Sequence, residues 1–292
     1  MRVAYFTAGS LGAGHLVRGV AIGRGLRRAG FAGEYRIFGP PLPFRATAVQ
    51  DAYYPVTVFE DELREPGRAA ESALRRELLA FAPDVLLVDL FWPPLRFVLP
   101  LPGCECWLLA RWLPEAWFKG PSGVPFERAQ YARIVAIEPG WTHPYVTESI
   151  EPVVVANPDE CPTRDAACAR FGVDSARPLV VVAHAGRKGE LPDLGPPSTD
   201  PRPIVTLDLF DRDAPFPAAE WLAHVDEYHC GAGYNSYWEA QWLGYARRTR
   251  FNVLPRQRAE QSFRLAPNRA RRAMTQNGAD VLARMLMGHS VS

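Results

Sequence analysis

A glycine-rich stretch near the start of the chain places a histidine where it can act as a base. The sequence GSLGAGHLVRG follows an apolar run at residues 3–7, and Gly9, Gly12 and Gly14 let the backbone pass close to a ligand. His15 comes next, at the start of a predicted helix. The positive end of a helix lowers the pKa of a histidine and keeps it neutral. His15 is therefore a candidate general base, and the alternative is a histidine that only hydrogen-bonds the loop.

Three further side chains are expected near His15. Arg18 lies one turn along the same helix, either as a contact for an anionic group of an acceptor or as a solvated helix residue. Asp89 ends the apolar run PDVLLVDL, where it would orient His15 or an acceptor hydroxyl, although an aspartate at a strand end is also an ordinary helix cap. Trp92 follows three residues later. His15 and Asp89 are the predicted catalytic pair, and Gly12, Gly14, Arg18 and Trp92 are predicted to contact the molecule on which the base acts.

A second stretch, HCGAGYNSYWEAQWLGYARRTRFNVLPRQRAEQ, has the layout of a phosphate and ribose site. A short strand enters a turn that contains Gly231 and Gly233, and a helix follows. The unpaired N–H groups and the dipole at a helix N-terminus suit a phosphate. Glu239 lies further along that helix, where a carboxylate can accept both hydroxyls of a ribose. The alternative is a plain strand–turn–helix corner in which the glycines serve only the backbone.

The elements around these stretches predict two doubly wound α/β units. Apolar strands alternate with amphipathic helices through residues 1–157, and Asn-Pro at the end of EPVVVANPD marks the predicted boundary. A second unit, residues 158–292, repeats the alternation. It is expected to be abbreviated, because GELPDLGPPSTDPRP is too rich in Pro and Gly for the helix that should follow its first strand.

An aromatic cluster in the first unit suggests an acceptor surface. Aromatic side chains with a few cations suit a sugar-stacking or lipid-linked acceptor, and the alternative is a set of core and loop anchors. The cluster comprises Trp107, Trp112, Trp117, Phe118 and Trp141, with Arg111 and Lys119.

Bulk properties exclude several classes of function. The chain has 292 residues, a net charge of +1 and 48% hydrophobic residues, which is too neutral for a nucleic-acid surface. No apolar run reaches the about eighteen residues of a membrane span and no signal peptide follows Met1, so a cytoplasmic protein is expected, with peripheral membrane contact left open. The five cysteines include no C-x-x-C pair and no His at zinc spacing. Neither a metal nor a cofactor is expected.

Both stretches resemble signatures of the GT-B glycosyltransferases, specifically the group around the peptidoglycan N-acetylglucosaminyltransferase. That group has a Gly-Gly or Gly-x-Gly turn, a Ser or Thr, a Glu on the helix, an apolar strand ending in Pro, and an acidic residue followed by Gln. GSLGAGHLVRGVAIGRGLRRAG is similar to its glycine-rich first loop. The resemblance implies two Rossmann-like domains facing each other across a cleft, with the acceptor on the first domain and a nucleotide-sugar donor on the second.

The resemblance also implies a reaction and a set of donor contacts. It implies an inverting, metal-independent transfer of a sugar from a nucleotide-sugar, expected to be a UDP-sugar, to a sugar, lipid-linked or small-molecule acceptor. His15 would take the acceptor proton, the helix start would bind the pyrophosphate, and Glu239 would bind the ribose. Glu260 and Gln261 would bind sugar hydroxyls, and Arg187 a phosphate. The implied donor-binding residues are His184, Gly186, Arg187, Gly231, Ala232, Gly233, Asn235, Ser236, Glu239, Glu260 and Gln261.

Three rival interpretations remain at this stage. GAGHLVRG also resembles the loop of nucleotide-sugar hydrolases of nonulosonic acid synthesis, in which the His activates water and an Arg follows at the same spacing. A non-catalytic nucleotide-sugar-binding relative is compatible with the abbreviated second unit. A Rossmann oxidoreductase is disfavoured, because the second predicted strand ends in Phe38 and Gly39 rather than in the acidic residue that binds a ribose.

Overall fold

The chain forms two parallel β-sheets, one on each side of residue 157. The computed structural model describes residues 1–7, 13–42, 52–57, 63–120, 124–184, 194–195, 202–208, 211, 214–266 and 273–288. The strands of the first sheet are β1 (Arg2–Phe6), β2 (Glu34–Gly39), β3 (Tyr53–Pro55), β4 (Val85–Asp89), β5 (Glu105–Ala110), β6 (Arg133–Ala136) and β7 (Glu148–Ser149). The helices before residue 157 are α1 (Gly14–Arg28), α2 (Pro66–Ala70) and α3 (Ala73–Phe81).

The first sheet has the strand order of a doubly wound fold. Its order is β3-β2-β1-β4-β5-β6-β7, and every pairing between neighbours is parallel. All five residues of β4 are buried, as its continuous apolar run predicts for a strand covered on both faces. The order reverses between β1 and β4, and open α/β sheets bind ligands at the carboxyl ends of strands at such a switch point.

The second sheet is smaller and has its own switch point. Its order is β11-β10-β8-β9, again all parallel. The order reverses between β8 and β10. Its strands are β8 (Val180–His184), β9 (Ile204–Asp208), β10 (Glu227–Gly231) and β11 (Thr249–Asn252), and the later helices are α4 (Arg164–Phe171), α5 (Tyr234–Trp242), α6 (Arg258–Leu265) and α7 (Gly278–Met287). The α/β architecture predicted from the sequence is confirmed, whereas the domain boundary at residue 157 stays a prediction.

Two predicted elements differ from the observed ones. The helix expected over residues 67–81 is divided into α2 and α3, because Ser72 adopts an extended conformation and accepts a hydrogen bond from Arg75 N (3.2 Å), capping α3. The segment before Asn157 that was expected to be a strand is buried but joins no sheet. Two of its N–H groups bind side chains instead: Val153 N–H donates to the Tyr234 hydroxyl (2.9 Å), and Val154 N–H donates to Asn277 Oδ1 (3.3 Å).

Helix α7 returns the chain to the first sheet. It packs along α1, and the approach is close because a Cβ on Gly25 would lie 2.5 Å from the carbonyl oxygen of Ala279. Asn277 caps α7 by accepting a hydrogen bond from Ala279 N (2.9 Å) while its Nδ2 donates to Val154 O (3.0 Å). One asparagine therefore fixes both the start of α7 and the buried segment that links the two sheets.

Candidate active site between the two sheets

His15 and Asp89 meet at the switch point of the first sheet. His15 is the second residue of α1 and Asp89 is the last residue of β4. His15 Nδ1 lies 3.1 Å from Asp89 Oδ2. The His15 side chain is 22% exposed, whereas the Asp89 side chain is fully buried. The two predicted catalytic residues therefore have the contact that a histidine base and its orienting carboxylate require.

The charge states of this pair follow from their surroundings. Asp89 Oδ2 also accepts hydrogen bonds from the Tyr5 hydroxyl and from Arg18 Nε (2.8 Å). Burial favours the neutral carboxyl, but the Arg18 guanidinium, His15 and Tyr5 outweigh it and hold the pKa of Asp89 well below its usual range. Burial lowers the pKa of His15, and the nearby Asp89 only partly opposes this shift. Near neutral pH the site thus combines a carboxylate with a neutral imidazole.

Arg18 is an internal residue, which contradicts its interpretation as a solvated helix residue. Its side chain is 3% exposed. Besides the bond from Nε to Asp89, Nη1 donates to Asn235 Oδ1 (3.1 Å) and Nη2 lies 3.1 Å from His15 Nδ1. The physical reason is the buried carboxylate of Asp89, which needs a countercharge within reach. An acceptor contact for Arg18 stays a prediction, and it would require the guanidinium to leave one of these partners.

The predicted phosphate site lies at the first turn of α5. Gly233 precedes the helix with extended backbone angles, and no side chain caps the helix start. The backbone N–H groups of Tyr234, Asn235 and Ser236 open the helix, and within the described part of the chain none of them has an acceptor. Three unpaired N–H groups at the positive end of a helix are the arrangement that binds a phosphate.

Two residues just before α5 have structural roles in this structure. A Cβ on Gly231 would lie 2.8 Å from Leu254 Cδ1, so glycine here permits close packing between β10 and the segment after β11. The Ala232 N–H donates to Asn252 O (2.9 Å) and is not free for a ligand. The predicted phosphate contact of Ala232 would therefore have to come from atoms other than its N–H group.

Asn235 joins the start of α5 to the histidine loop. Its Oδ1 accepts the hydrogen bond from Arg18, and its Nδ2 donates to Gly14 O (2.9 Å). Gly14 is the first residue of α1 and is followed directly by His15. The switch points of the two sheets therefore face each other, with the candidate base and the candidate phosphate site on adjoining elements.

Glu239 is a buried carboxyl with an unused oxygen. It lies in α5, is 7% exposed, and its Oε1 atom has no hydrogen-bond partner among the described residues. Burial raises the pKa of Glu239 to about 8. A buried polar atom without a partner is costly, which makes it a place where a ligand hydroxyl would be bound favourably. The predicted ribose contact is compatible with this geometry.

The raised pKa of Glu239 predicts how stability depends on pH. The folded state keeps a proton on Glu239 up to about pH 8, whereas the unfolded carboxyl loses it near pH 4.3, so the unfolded state binds fewer protons between these values and stability falls as pH rises. In the wild type, this effect should lower the free energy of unfolding by about 3 kcal/mol between pH 5 and pH 8, and we expect Glu239→Gln to abolish it. Urea unfolding at both pH values measures the difference. An equal pH dependence in wild type and variant would contradict a buried, protonated Glu239.

Glu260 and Gln261 are engaged with the protein. The Glu260 carboxylate pairs with Arg111 Nη1 and lies 3.9 Å from Arg264 Nη2. Gln261 is fully buried, and its Oε1 accepts a hydrogen bond from Leu254 N (2.6 Å). The sugar contacts of both residues stay predictions. Glu260 is partly exposed, whereas Gln261 also donates from Nε2 to Gln257 Oε1 (3.1 Å).

A buried network of charged residues lies next to Glu260 and Gln261, and it was not predicted from the sequence. Glu138, which follows β6, accepts hydrogen bonds from Arg264 Nε (2.7 Å), Trp112 N (3.0 Å) and Trp238 Nε1 (3.3 Å). Arg264 also donates to Ala232 O (3.3 Å). Burial opposes ionisation of Glu138, but Arg264 outweighs it and lowers the carboxyl pKa. The signal was present in the sequence, since an acidic residue directly after an apolar strand is the feature that singled out Asp89.

The aromatic residues divide between fully buried and partly exposed positions. Trp92 is 1% exposed and packs edge-on against Phe126 at 5.1 Å between ring centroids, so it is a core residue in this structure rather than an accessible acceptor contact. Trp107 is also fully buried. By contrast, Trp112 is partly exposed and stacks on Phe263 of α6, with 4.8 Å between centroids. Aromatic stacking thus also joins the two parts of the chain.

Some predicted positions lie outside the described residues. Gly12, Gly186 and Arg187 belong to this group, and His184 is described only as the backbone residue that ends β8. Within the described residues there is no cluster of three or more potential metal ligands, and no helix there is long and apolar enough to cross a membrane.

Several solved structures with a similar fold are glycosyltransferases. The spinosyn rhamnosyltransferase SpnG matches with a TM-score of 0.55 and 16% identity, covering 100% of this chain and 93% of SpnG. VinC, solved in complex with DTDP, matches with a TM-score of 0.53 and 15% identity, covering 98% and 90%. SsfS6 of Streptomyces sp. SF2575 matches with a TM-score of 0.52 and 13% identity, covering 91% and 85%.

The similarity to these structures is much weaker in sequence than in fold. No protein-family model and no curated protein matches it. Identities of 13–16% to the solved structures support a shared fold. Taken with two parallel sheets whose switch points face each other, these matches show that the chain has the GT-B glycosyltransferase fold.

Proposed function

We propose that this protein is an inverting, metal-independent glycosyltransferase that moves a sugar from a nucleotide-sugar to an acceptor hydroxyl. The observation that carries the proposal is the meeting of His15 and Asp89 with the first turn of α5. Asn235 spans the two elements through its hydrogen bonds to Arg18 and Gly14. A base and a phosphate site at adjoining strand ends suit an attack on a sugar held by its diphosphate.

The reaction needs one proton acceptor and one stabilised leaving group. His15 Nε2 accepts the proton of the acceptor hydroxyl while Asp89 holds the Nδ1 proton and stabilises the imidazolium that forms. The acceptor oxygen bonds to the anomeric carbon as the bond to the diphosphate breaks. The electron pair leaves with the nucleoside diphosphate, whose charge the N–H groups at the start of α5 stabilise. A single displacement of this kind inverts the anomeric centre.

The donor contacts are proposed on the second sheet. The first turn of α5 binds the diphosphate and Glu239 binds the ribose hydroxyls. The sequence resemblance to the peptidoglycan N-acetylglucosaminyltransferase group favours a UDP-sugar. SpnG has been solved with thymidine diphosphate and VinC with DTDP, so a thymidine nucleotide is the main alternative. SpnG has also been solved with spinosyn aglycone, which makes a small-molecule acceptor a reasonable counterpart to a sugar or lipid-linked one.

The test combines nucleotide binding with turnover. Purified protein is titrated with UDP, thymidine diphosphate and GDP by calorimetry, and then incubated with the corresponding nucleotide-sugars with and without a panel of hydroxylated acceptors. The proposal expects binding of one nucleotide and release of nucleoside diphosphate that depends on acceptor. Release without acceptor would instead identify a nucleotide-sugar hydrolase, and binding without turnover a non-catalytic relative. Absence of nucleotide binding would overturn the donor site itself.

A further inference from the structure

His15 Nδ1 lies close to one hydrogen-bond acceptor and one hydrogen-bond donor. Asp89 Oδ2 and Arg18 Nη2 both lie 3.1 Å from this nitrogen. A carboxylate requires a proton on Nδ1, whereas an arginine N–H requires a lone pair there. Nδ1 of a neutral imidazole can satisfy only one of them, so the choice decides which ring nitrogen carries the proton.

The buried donors favour the tautomer with the proton on Nε2. Asp89 Oδ2 already accepts hydrogen bonds from Tyr5 and from Arg18 Nε. Arg18 Nη2, by contrast, has His15 Nδ1 as its acceptor, and a proton on Nδ1 would leave this buried donor facing another donor. In this tautomer Nε2 has no lone pair and cannot accept a proton. The arrangement around Arg18 is therefore that of an inactive base.

Arg18 is in turn held by the element that is proposed to bind the donor. Its Nη1 donates to Asn235 Oδ1, and Asn235 lies in the first turn of α5. A diphosphate at that turn is anionic and attracts the guanidinium away from the imidazole. The proton on Nε2 can then be exchanged with solvent for one on Nδ1, since part of the His15 side chain is exposed.

We propose that Arg18 is a positioning residue that selects the tautomer of His15, and that Asn235 links this selection to occupation of the donor site. The link to the donor rests on the proposed function, whereas the selection by Arg18 does not. His15 becomes a base only when a nucleotide diphosphate occupies the start of α5. The charged and titratable groups that act on His15 are Tyr5 from β1, Asp89 from β4, Arg18 from α1 and Arg111 after β5.

The tautomer can be measured directly. Protein labelled with ¹⁵N-histidine gives separate NMR signals for protonated and unprotonated ring nitrogens, and a His15→Gln spectrum identifies the signals of His15. Spectra are recorded above the His15 pKa without ligand and with saturating UDP or thymidine diphosphate, and calorimetry establishes binding independently. The wild type is expected to carry the proton mainly on Nε2 without ligand and to shift toward Nδ1 when the nucleotide binds.

Two variants separate the parts of the inference. Arg18→Lys keeps a positive charge beside Asp89 but lacks the planar fork that reaches His15 as well; it is expected to carry the proton on Nδ1 without any nucleotide. Asn235→Ala keeps the backbone N–H for a phosphate but releases Arg18, and is expected to shift in the same direction without ligand and to respond little to nucleotide. Arg28→Gln, which removes contacts to Glu160 and Asp280 at the far end of α1, serves as the matched control and should behave like wild type.

The outcomes distinguish this inference from the proposed function. An identical tautomer in wild type and Arg18→Lys would overturn the role of Arg18, whether or not a nucleotide binds. Nucleotide binding without a change of tautomer in the wild type would overturn the link through Asn235 while leaving the donor site intact. Failure of every nucleotide to bind would overturn the proposed function and the link together, and the ligand-free comparison would still decide the role of Arg18.

Discussion

Replacing His15 with glutamine is expected to lower turnover by about 10²–10⁴-fold while leaving nucleotide affinity nearly unchanged. Glutamine retains a polar side chain of similar reach but has no basic nitrogen. The acceptor hydroxyl then has to lose its proton without a base. The proposed diphosphate and ribose contacts lie on α5 and do not involve the imidazole, so binding should survive. Steady-state rates together with calorimetric titration measure the two effects separately.

The pH profile gives a second readout of the same group. Burial lowers the His15 pKa below its ordinary value of 6.5, and a histidine can act as a base only when it is neutral. Activity should therefore be full above pH 6.5 and fall as pH drops through the lowered pKa. His224→Gln removes a histidine outside the proposed site and is the matched control, with an expected rate close to wild type. A His15→Gln variant that retains wild-type turnover would exclude His15 as the base.

Replacing Glu138 with glutamine is expected to destabilise the fold by about 3–5 kcal/mol. Glu138 and Arg264 have side chains that are 0% and 1% exposed, and Arg264 Nε lies 2.7 Å from the carboxylate. Glutamine would leave the Arg264 charge buried without its main counterion. The loss should also loosen the contact between the sheets, because Glu138 follows β6 and Arg264 lies in α6. Urea unfolding at pH 7 gives the change in free energy.

An exposed ion pair in the same part of the first sheet provides the control. Arg133 pairs with Glu148 at 2.6 Å, and both side chains are 35% exposed. Glu148→Gln makes the same chemical change and is expected to cost less than about 1 kcal/mol. The Glu138→Gln effect should also shrink in acid, because the lowered carboxyl pKa contributes stability only above the unfolded pKa, and this contribution is lost as pH falls through the folded value. Equal costs for the two variants would contradict the buried network.

The periodic pattern of the sequence was sufficient to predict the fold, but it did not predict which residues pair with the buried charges. Apolar strands such as β4 can be identified from their composition. Asp89 and His15 were predicted together because one ends a strand and the other begins a helix at the same edge of the sheet. Asn235 and Gly14 are separated by more than two hundred residues in the chain, and no local pattern indicates that they touch. The burial of Arg18 is likewise a property of tertiary packing, since one arginine on a helix gives no sign of where its partners lie.

Sequence patterns also do not show where a side chain replaces the backbone as a hydrogen-bond partner. The segment before Asn157 is apolar like a strand, yet its N–H groups are satisfied by Tyr234 and Asn277 rather than by a neighbouring strand. The helix at residues 67–81 is interrupted because the hydroxyl of Ser72 starts a new helix. In both cases one or two side chains change the secondary structure, and the helical or strand periodicity of the sequence does not indicate this.

The return of α7 to the first sheet has a consequence for how the chain is made. The face of α1 that contains Gly25 is covered by a helix that starts at Gly278. During synthesis, a nascent chain that has completed every strand of both sheets still presents this face uncovered until α7 leaves the ribosome. A premature stop codon after α6 would therefore damage the helix layer of the sheet that was made first. The sheet that was made last would keep all of its strands.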